Sequence, residues 1–162
     1  MSDSTYPSVA RHPLETRIPA PVIALLLGTA MHLLPPLPAD DALFFVRKVV
    51  MDLSFQLSAL CVLAAVVSLW RSHTTINPLQ PERASALVTD GIYRYTRNPM
   101  YLSLLLLLFG YACELWNWPA FLAPAAYAAY ITRFQILPEE RVLEAKFGEA
   151  YRAYKRRVRR WL

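Results

Sequence analysis

Residues 91–115 read GIYRYTRNPMYLSLLLLLFGYACEL. Three tyrosines, two arginines, an asparagine and a proline run without a linker into a long apolar segment. Pro99 suits the first turn of a helix, where its missing N–H is no loss. The apolar run ends at ELWNWPAF, after which a second apolar segment begins almost at once. Two apolar helices joined this tightly must lie antiparallel. The chain from Tyr101 to Glu139 covers 38 residues, which as one straight helix would reach roughly 57 Å. Folded in half, it returns ILPEERVLEAKFGEAY to the same end as GIYRYTRNPMY. The reading therefore predicts an all-α chain built around a tight hairpin, with two distant polar clusters brought together at its open end.

The remainder fits a polytopic membrane protein of about four helices. The sequence has 162 residues, 56% of them hydrophobic, against about 45–50% in soluble domains. Apolar segments run from about Ile18 to Leu37, Val49 to Trp70, Met100 to Leu115 and Pro119 to Leu137; a bilayer core needs about 20 residues per helix. The predicted organisation is one membrane domain over residues 1–162: a tail (1–17), two spans (18–70), a cytoplasmic loop (71–99), the hairpin (100–137) and a cytoplasmic amphipathic C-terminal helix (138–162). Of 17 Lys and Arg, seven lie in residues 146–162. By the positive-inside rule both termini are expected in the cytoplasm. The formal charge of +5 is accordingly assigned to an anionic-lipid flank rather than to nucleic acid, for which no fold motif is present. With no cleavable leader evident, a bacterial inner membrane is the expected location.

Scattered groups have plain readings. Cys61 and Cys113 lie in apolar runs without disulfide or ligand spacing, and three isolated histidines make a protein-bound metal unexpected. Asp52 follows Lys48 by four residues, an i,i+4 ion pair, although Asp52 and Gln56 also share a face that could line a polar cavity. Arg133 either snorkels to the surface or faces an anionic ligand.

The polar clusters suggest a small zwitterionic ligand. Tyr93, Tyr95 and Tyr101 offer rings and hydroxyls; Glu139 and Glu140 suit an ammonium or ribose hydroxyls, and Arg94 and Arg97 suit a carboxylate. Gly91 allows close approach or positive φ. Leu143, Phe147, Tyr151 and Tyr154 recur at helical spacing on a helix that serves as an interfacial anchor, a lid, or both.

The pattern LVTDGIYRYTRNPMY, a hydrophobic hairpin and EERVLEAKFGEAYRAYKRRV resembles the isoprenylcysteine carboxyl methyltransferase and phospholipid methyltransferase group of integral membrane enzymes. Their signature is R-H-P-x-Y, two hydrophobic helices, then E-E. The resemblance spans about residues 74 to 160. It implies methyl transfer from S-adenosyl-L-methionine to a lipophilic acceptor, a prenylcysteine-like carboxylate or a related lipid. Carried over by position, the implied cofactor residues are Ser85, Ala86, Leu87, Val88, Tyr93, Asn98, Pro99, Met100, Tyr101 and Glu139, with Glu140 and Arg97 as further choices. No catalytic residue follows from it.

Two positions depart from the family pattern. Asn98 stands where a histidine is usual; it keeps a donor and an acceptor but carries no proton. Gln135 stands where an arginine suited to a substrate carboxylate can occur, one turn before Glu139, so Arg133 and Gln135 are the substrate-binding candidates. A carboxylate acceptor needs no general base, whereas a protonated amine does. Two other readings remain open here: a non-catalytic binding or assembly protein on the same scaffold, and a reductase of similar architecture. The acceptor and the oligomeric state stay undetermined.

Overall fold

The structure, a computed structural model, describes residues 18–37, 41–72 and 86–162. The N-terminal tail and residues 73–85 of the expected loop, Ser85 among them, lie outside the described residues. The described chain is all-helical: α1 (Ala20–His32), α2 (Asp41–Arg71), a 3-10 turn (Gly91–Arg94), α3 (Pro99–Leu115), a second 3-10 turn (Trp118–Phe121), α4 (Leu122–Ile131), a π turn (Thr132–Ile136), α5 (Leu137–Phe147) and α6 (Glu149–Arg157).

The helices differ in length from the apolar segments. α1 has only 13 residues, roughly 20 Å, because the chain must leave helical geometry ahead of Pro35 and Pro36. Helix α2 begins well before Val49 and runs for 31 residues, with no glycine or proline to stop it. Among the described residues it is the one helix long and apolar enough to cross a membrane. Its outer face exposes Phe45, Leu53, Leu57, Leu60 and Leu63. The Lys48–Asp52 ion pair forms as expected, at 3.7 Å.

Helix α3 packs against α1, α2 and α4. Small residues set the α2–α3 approach: Ser58 Oγ donates to the Ser103 carbonyl at 2.8 Å, and a Cβ on Gly110 would stand 2.8 Å from Ser54 Cβ. Close backbone contact of this kind is how apolar helices gain packing energy. Gly110→Ala is therefore expected to cost about 1–3 kcal/mol by overpacking. The measurement is the thermal midpoint in detergent; Ser54→Gly in the same chain should restore part of the loss.

At the closed end of the hairpin, Trp116 takes a left-handed conformation (φ 49°) that turns the chain toward α4. Arg47 points inward there, 6% exposed. It donates to the Leu37 carbonyl at 2.9 Å and to the Glu114 carbonyl in the last turn of α3, satisfying a helix-end oxygen that would otherwise be orphaned.

The expected single C-terminal helix is two. Gly148, at φ 54° and ψ −125°, breaks it into α5 and α6, a conformation that favours glycine. The break folds α6 back, so that Tyr151, Tyr154 and Val158 pack with Leu143, Phe147, Leu87 and Tyr93. The apolar stripe read from the sequence thus faces the loop ahead of α3.

Candidate functional site

The hairpin does bring the two polar clusters together. Tyr101, in the first turn of α3, is buried, and its hydroxyl donates to Glu139 Oε1. It also lies 3.3 Å from Gln135 Oε1. The π turn just before α5 widens the helix by one residue per turn, a device common at functional sites. It carries Gln135 inward, where its amide donates to the Ile18 carbonyl. Gln135 therefore ties the start of α1 to the site.

Glu139 is half-buried in the first turn of α5. Burial pushes its carboxyl pKa up to about 8; the Tyr101 hydrogen bond opposes that shift and the neighbouring Glu140 adds to it. Loss of water disfavours the charged form, so the group is mostly protonated at pH 7. Burial, with Glu139 nearby, also raises the Tyr93 phenol.

Glu140 is engaged differently. Its carboxylate meets Arg97 at 3.0 Å, with both side chains under a tenth exposed, and receives two bonds from Arg160, at 2.9 and 3.0 Å. The two-bond geometry is the strong form of an arginine–carboxylate contact. Arg97 spends one nitrogen on this pair. Its Nε and Nη1 are buried with no partner among the described residues.

The chain after α6 returns as an extended segment across residues 96–98. Arg97 N–H donates to the Arg159 carbonyl at 3.1 Å, and Asn98 Nδ2 donates to the Arg160 carbonyl at 2.9 Å. Thr96 Oγ1 reaches the same oxygen at 3.4 Å. Farther along, the Trp161 indole donates to Thr132 Oγ1 at 3.2 Å, at the start of the π turn. Tyr154 donates to the Tyr93 carbonyl at 2.7 Å.

The other sequence candidates are placed as follows. Ala86 and Leu87 are half-buried and Val88 is buried, leading into the Gly91 turn. Gly91 has φ 60°, and a Cβ there would overlap the Ser68 hydroxyl at the end of α2. Asn98 precedes α3 without capping it through its side chain, Pro99 occupies the first turn, and Met100 is half-buried. Arg133 is exposed, its guanidinium 5.5 Å from the Phe134 ring. Tyr95 is 74% exposed, apart from Tyr93 and Tyr101. Sequence reasoning missed Arg160, Trp161 and Thr96, since nothing periodic marks the extended tail. It also missed Tyr127, a tyrosine set in the alanine-rich run PAAYAAY.

Among the described residues the fold is all-helical, with one span-length apolar helix and an acid–tyrosine pair at the open end of a helical hairpin. The chain belongs to the phospholipid methyltransferase family, whose sequence model matches residues 46–150. It is 30% identical over 98 residues to the protein-S-isoprenylcysteine O-methyltransferase of Schizosaccharomyces pombe, covering 59% of this chain and 40% of that protein. It is 33% identical over 97 residues to protein-S-isoprenylcysteine O-methyltransferase B of Arabidopsis thaliana, covering 58% of this chain and 48% of that protein. The matches span less than half of either relative. An uncharacterised Haemophilus influenzae protein is 51% identical over 63 residues, 39% of this chain and 100% of its own length. No solved structure matches the chain.

Proposed function

We propose that this protein is an S-adenosylmethionine-dependent methyltransferase that modifies a lipophilic acceptor at a membrane surface. The observation that carries this reading is the Glu139 carboxyl held by Tyr101, at the hairpin end that also carries Arg97, whose Nε and Nη1 have no partner among the described residues. The amino-acid end of the cofactor carries an ammonium and a carboxylate, and these side chains complement both. The first turn of α3 has no side-chain cap, so its N–H groups add positive potential beside Arg97. Tyr93 and Leu87 pack against α6 at the same end of the hairpin, and the adenosine would lie beside them. The residue set fits the cofactor.

Bound there, S-adenosylmethionine would supply an electrophilic methyl group. The chain's own residues act by position: Tyr101 holds Glu139, Gln135 borders Tyr101, and the returning tail fixes Asn98 and Arg97. Orientation of this kind is worth several kcal/mol of a barrier (of order 7–11 for ideal alignment). The acceptor class is a prenylcysteine-like carboxylate or a related lipid, as the names of two relatives suggest. The four apolar segments cross the bilayer in this reading, α2 as the longest of them, which puts both termini on the cytoplasmic side. The basic residues of α6 then meet anionic headgroups. The site lies at the membrane mouth because a water-soluble cofactor and a lipid-soluble acceptor have to meet there.

The test is transfer of a tritiated methyl from S-adenosylmethionine to lipid-extractable product by the protein in vesicles. Label incorporation that Tyr101→Phe lowers by about tenfold or more, through loss of a charge-assisted hydrogen bond, supports the reading. Cofactor binding without any transfer to prenylcysteine or phospholipid acceptors would favour a non-catalytic scaffold.

A further inference from the structure

Helix α4 buries two hydroxyls that no other described residue uses. Tyr127 is fully buried, at 0% exposure, and Tyr130 is half-buried. The hydroxyl oxygens of both are shielded and without a partner among the described residues. Three residues apart, they lie on one helix face, in the hydrophobic core shared by α1, α3 and α4. Tyr127 lies within electrostatic reach of Tyr101, and so of the Tyr101–Glu139 pair. A buried tyrosine hydroxyl normally finds a partner, and leaving one unmade costs about 1–3 kcal/mol. Phenylalanine would fill the same space without that cost.

Gln135 leaves room for such a role. It is committed to the Ile18 carbonyl and Tyr101, and Arg133 lies exposed against Phe134. A lipophilic acceptor entering beside α4 would carry its polar head into an otherwise apolar core, where an oxygen anion needs donors. Tyr127 and Tyr130 supply two.

We propose that the Tyr127 and Tyr130 hydroxyls form the head-group subsite for a carboxylate-bearing lipophilic acceptor. This rests on the methyltransferase reading above, which is why the tests separate the two. A hydroxyl pair of this kind selects for an oxygen acceptor over an ammonium, because a site built to hydrogen-bond one group leaves its donors unpaired with another.

The experiment measures binding of N-acetyl-S-geranylgeranyl-cysteine to the detergent-purified full chain saturated with S-adenosylhomocysteine. Wild type, Tyr127→Phe and Tyr130→Phe are compared, and the amide of the same probe serves as the uncharged control. The expected result is a rise in Kd of about tenfold for Tyr127→Phe, equivalent to one lost hydrogen bond to a charged group. Its affinity for S-adenosylhomocysteine and its thermal midpoint should be at least those of wild type. A purely structural tyrosine would instead lower the midpoint and leave probe affinity alone. Equal binding of the probe by wild type and both variants, or tighter binding of the amide than the acid, overturns the subsite. Methylation of phosphatidylethanolamine without binding of the acid probe also overturns it, while leaving the methyltransferase reading intact. Failure to bind S-adenosylhomocysteine at all strikes that underlying reading, and the subsite falls with it.

Discussion

Glu139→Gln should weaken S-adenosylmethionine binding by about thirtyfold or more, since removing one partner of a buried charge pair costs roughly 2–5 kcal/mol. The amide retains the shape of the carboxyl and an acceptor for the Tyr101 hydroxyl, so the loss isolates charge. The effect on the empty protein runs the other way. Burial raises the Glu139 carboxyl to about 8 in the folded chain, above its unfolded value. A raised folded pKa gives stability that is present below the unfolded pKa and is lost as pH rises through the folded one. Between about pH 4.5 and 8, folding keeps a proton that the unfolded chain would release, and stability declines across that window. Glutamine does not titrate, so Glu139→Gln should flatten this decline and be no less stable than wild type at pH 8.5. Thermal midpoints at pH 6 and 8.5, beside binding isotherms, check both halves. Parallel loss of stability and binding at both pH values would make Glu139 a structural residue only.

The second large effect concerns Glu140, and it is structural. Its carboxylate holds Arg97 and Arg160. Glu140→Gln leaves the Arg97 guanidinium buried without its counter-charge, a loss expected to cost about 3–5 kcal/mol. Arg160 is only partly buried, at 33% side-chain exposure, so Arg160→Gln should cost much less. The two variants still share a consequence. Without the Glu140 contact, the extended tail rests on the Arg97, Asn98 and Thr96 bonds to its carbonyls. Both should therefore loosen residues 96–98 and increase hydrogen exchange at the start of α3. Thermal unfolding ranks the pair, and hydrogen exchange tests the shared part. A Glu140→Gln protein as stable as wild type would show that the buried ion pair does not hold the site together.

Much of this arrangement was legible because it follows from local rules. The near-absence of linker at ELWNWPAF required an antiparallel hairpin, and that hairpin sets Tyr101 against Glu139. The stripe Leu143, Phe147, Tyr151 and Tyr154 was readable from helical spacing, although its burial against Leu87 and Tyr93 depends on the turn at Gly148. The lengths of α1 and α2 were less legible. Hydropathy marks apolar residues, whereas helix ends follow prolines: those at 35 and 36 cut α1 short, and their absence lets α2 run to 31 residues.

The division of labour between the paired glutamates was not readable. Adjacent in sequence, they project to different surroundings, so that Glu139 meets a tyrosine and Glu140 two arginines. Arg160 reaches the site through an extended tail with no periodic signature, and Asn98, which takes the place of a usual histidine, turns its amide to that tail. The π turn that draws Gln135 inward rests on one extra residue per turn, which propensity and hydropathy do not register.

The most direct test of the central claim is calorimetric titration of S-adenosylmethionine into the detergent-purified protein between pH 6 and 9, in buffers of different ionisation enthalpy. If Glu139 must ionise to pair with the cofactor's cationic end, binding at pH 7 displaces close to one proton. The affinity should rise by up to about tenfold per pH unit below pH 8 and then level off. Glu139→Gln should abolish both the proton release and the pH dependence. Binding that is independent of pH and of buffer, and equally tight in Glu139→Gln, would contradict the account.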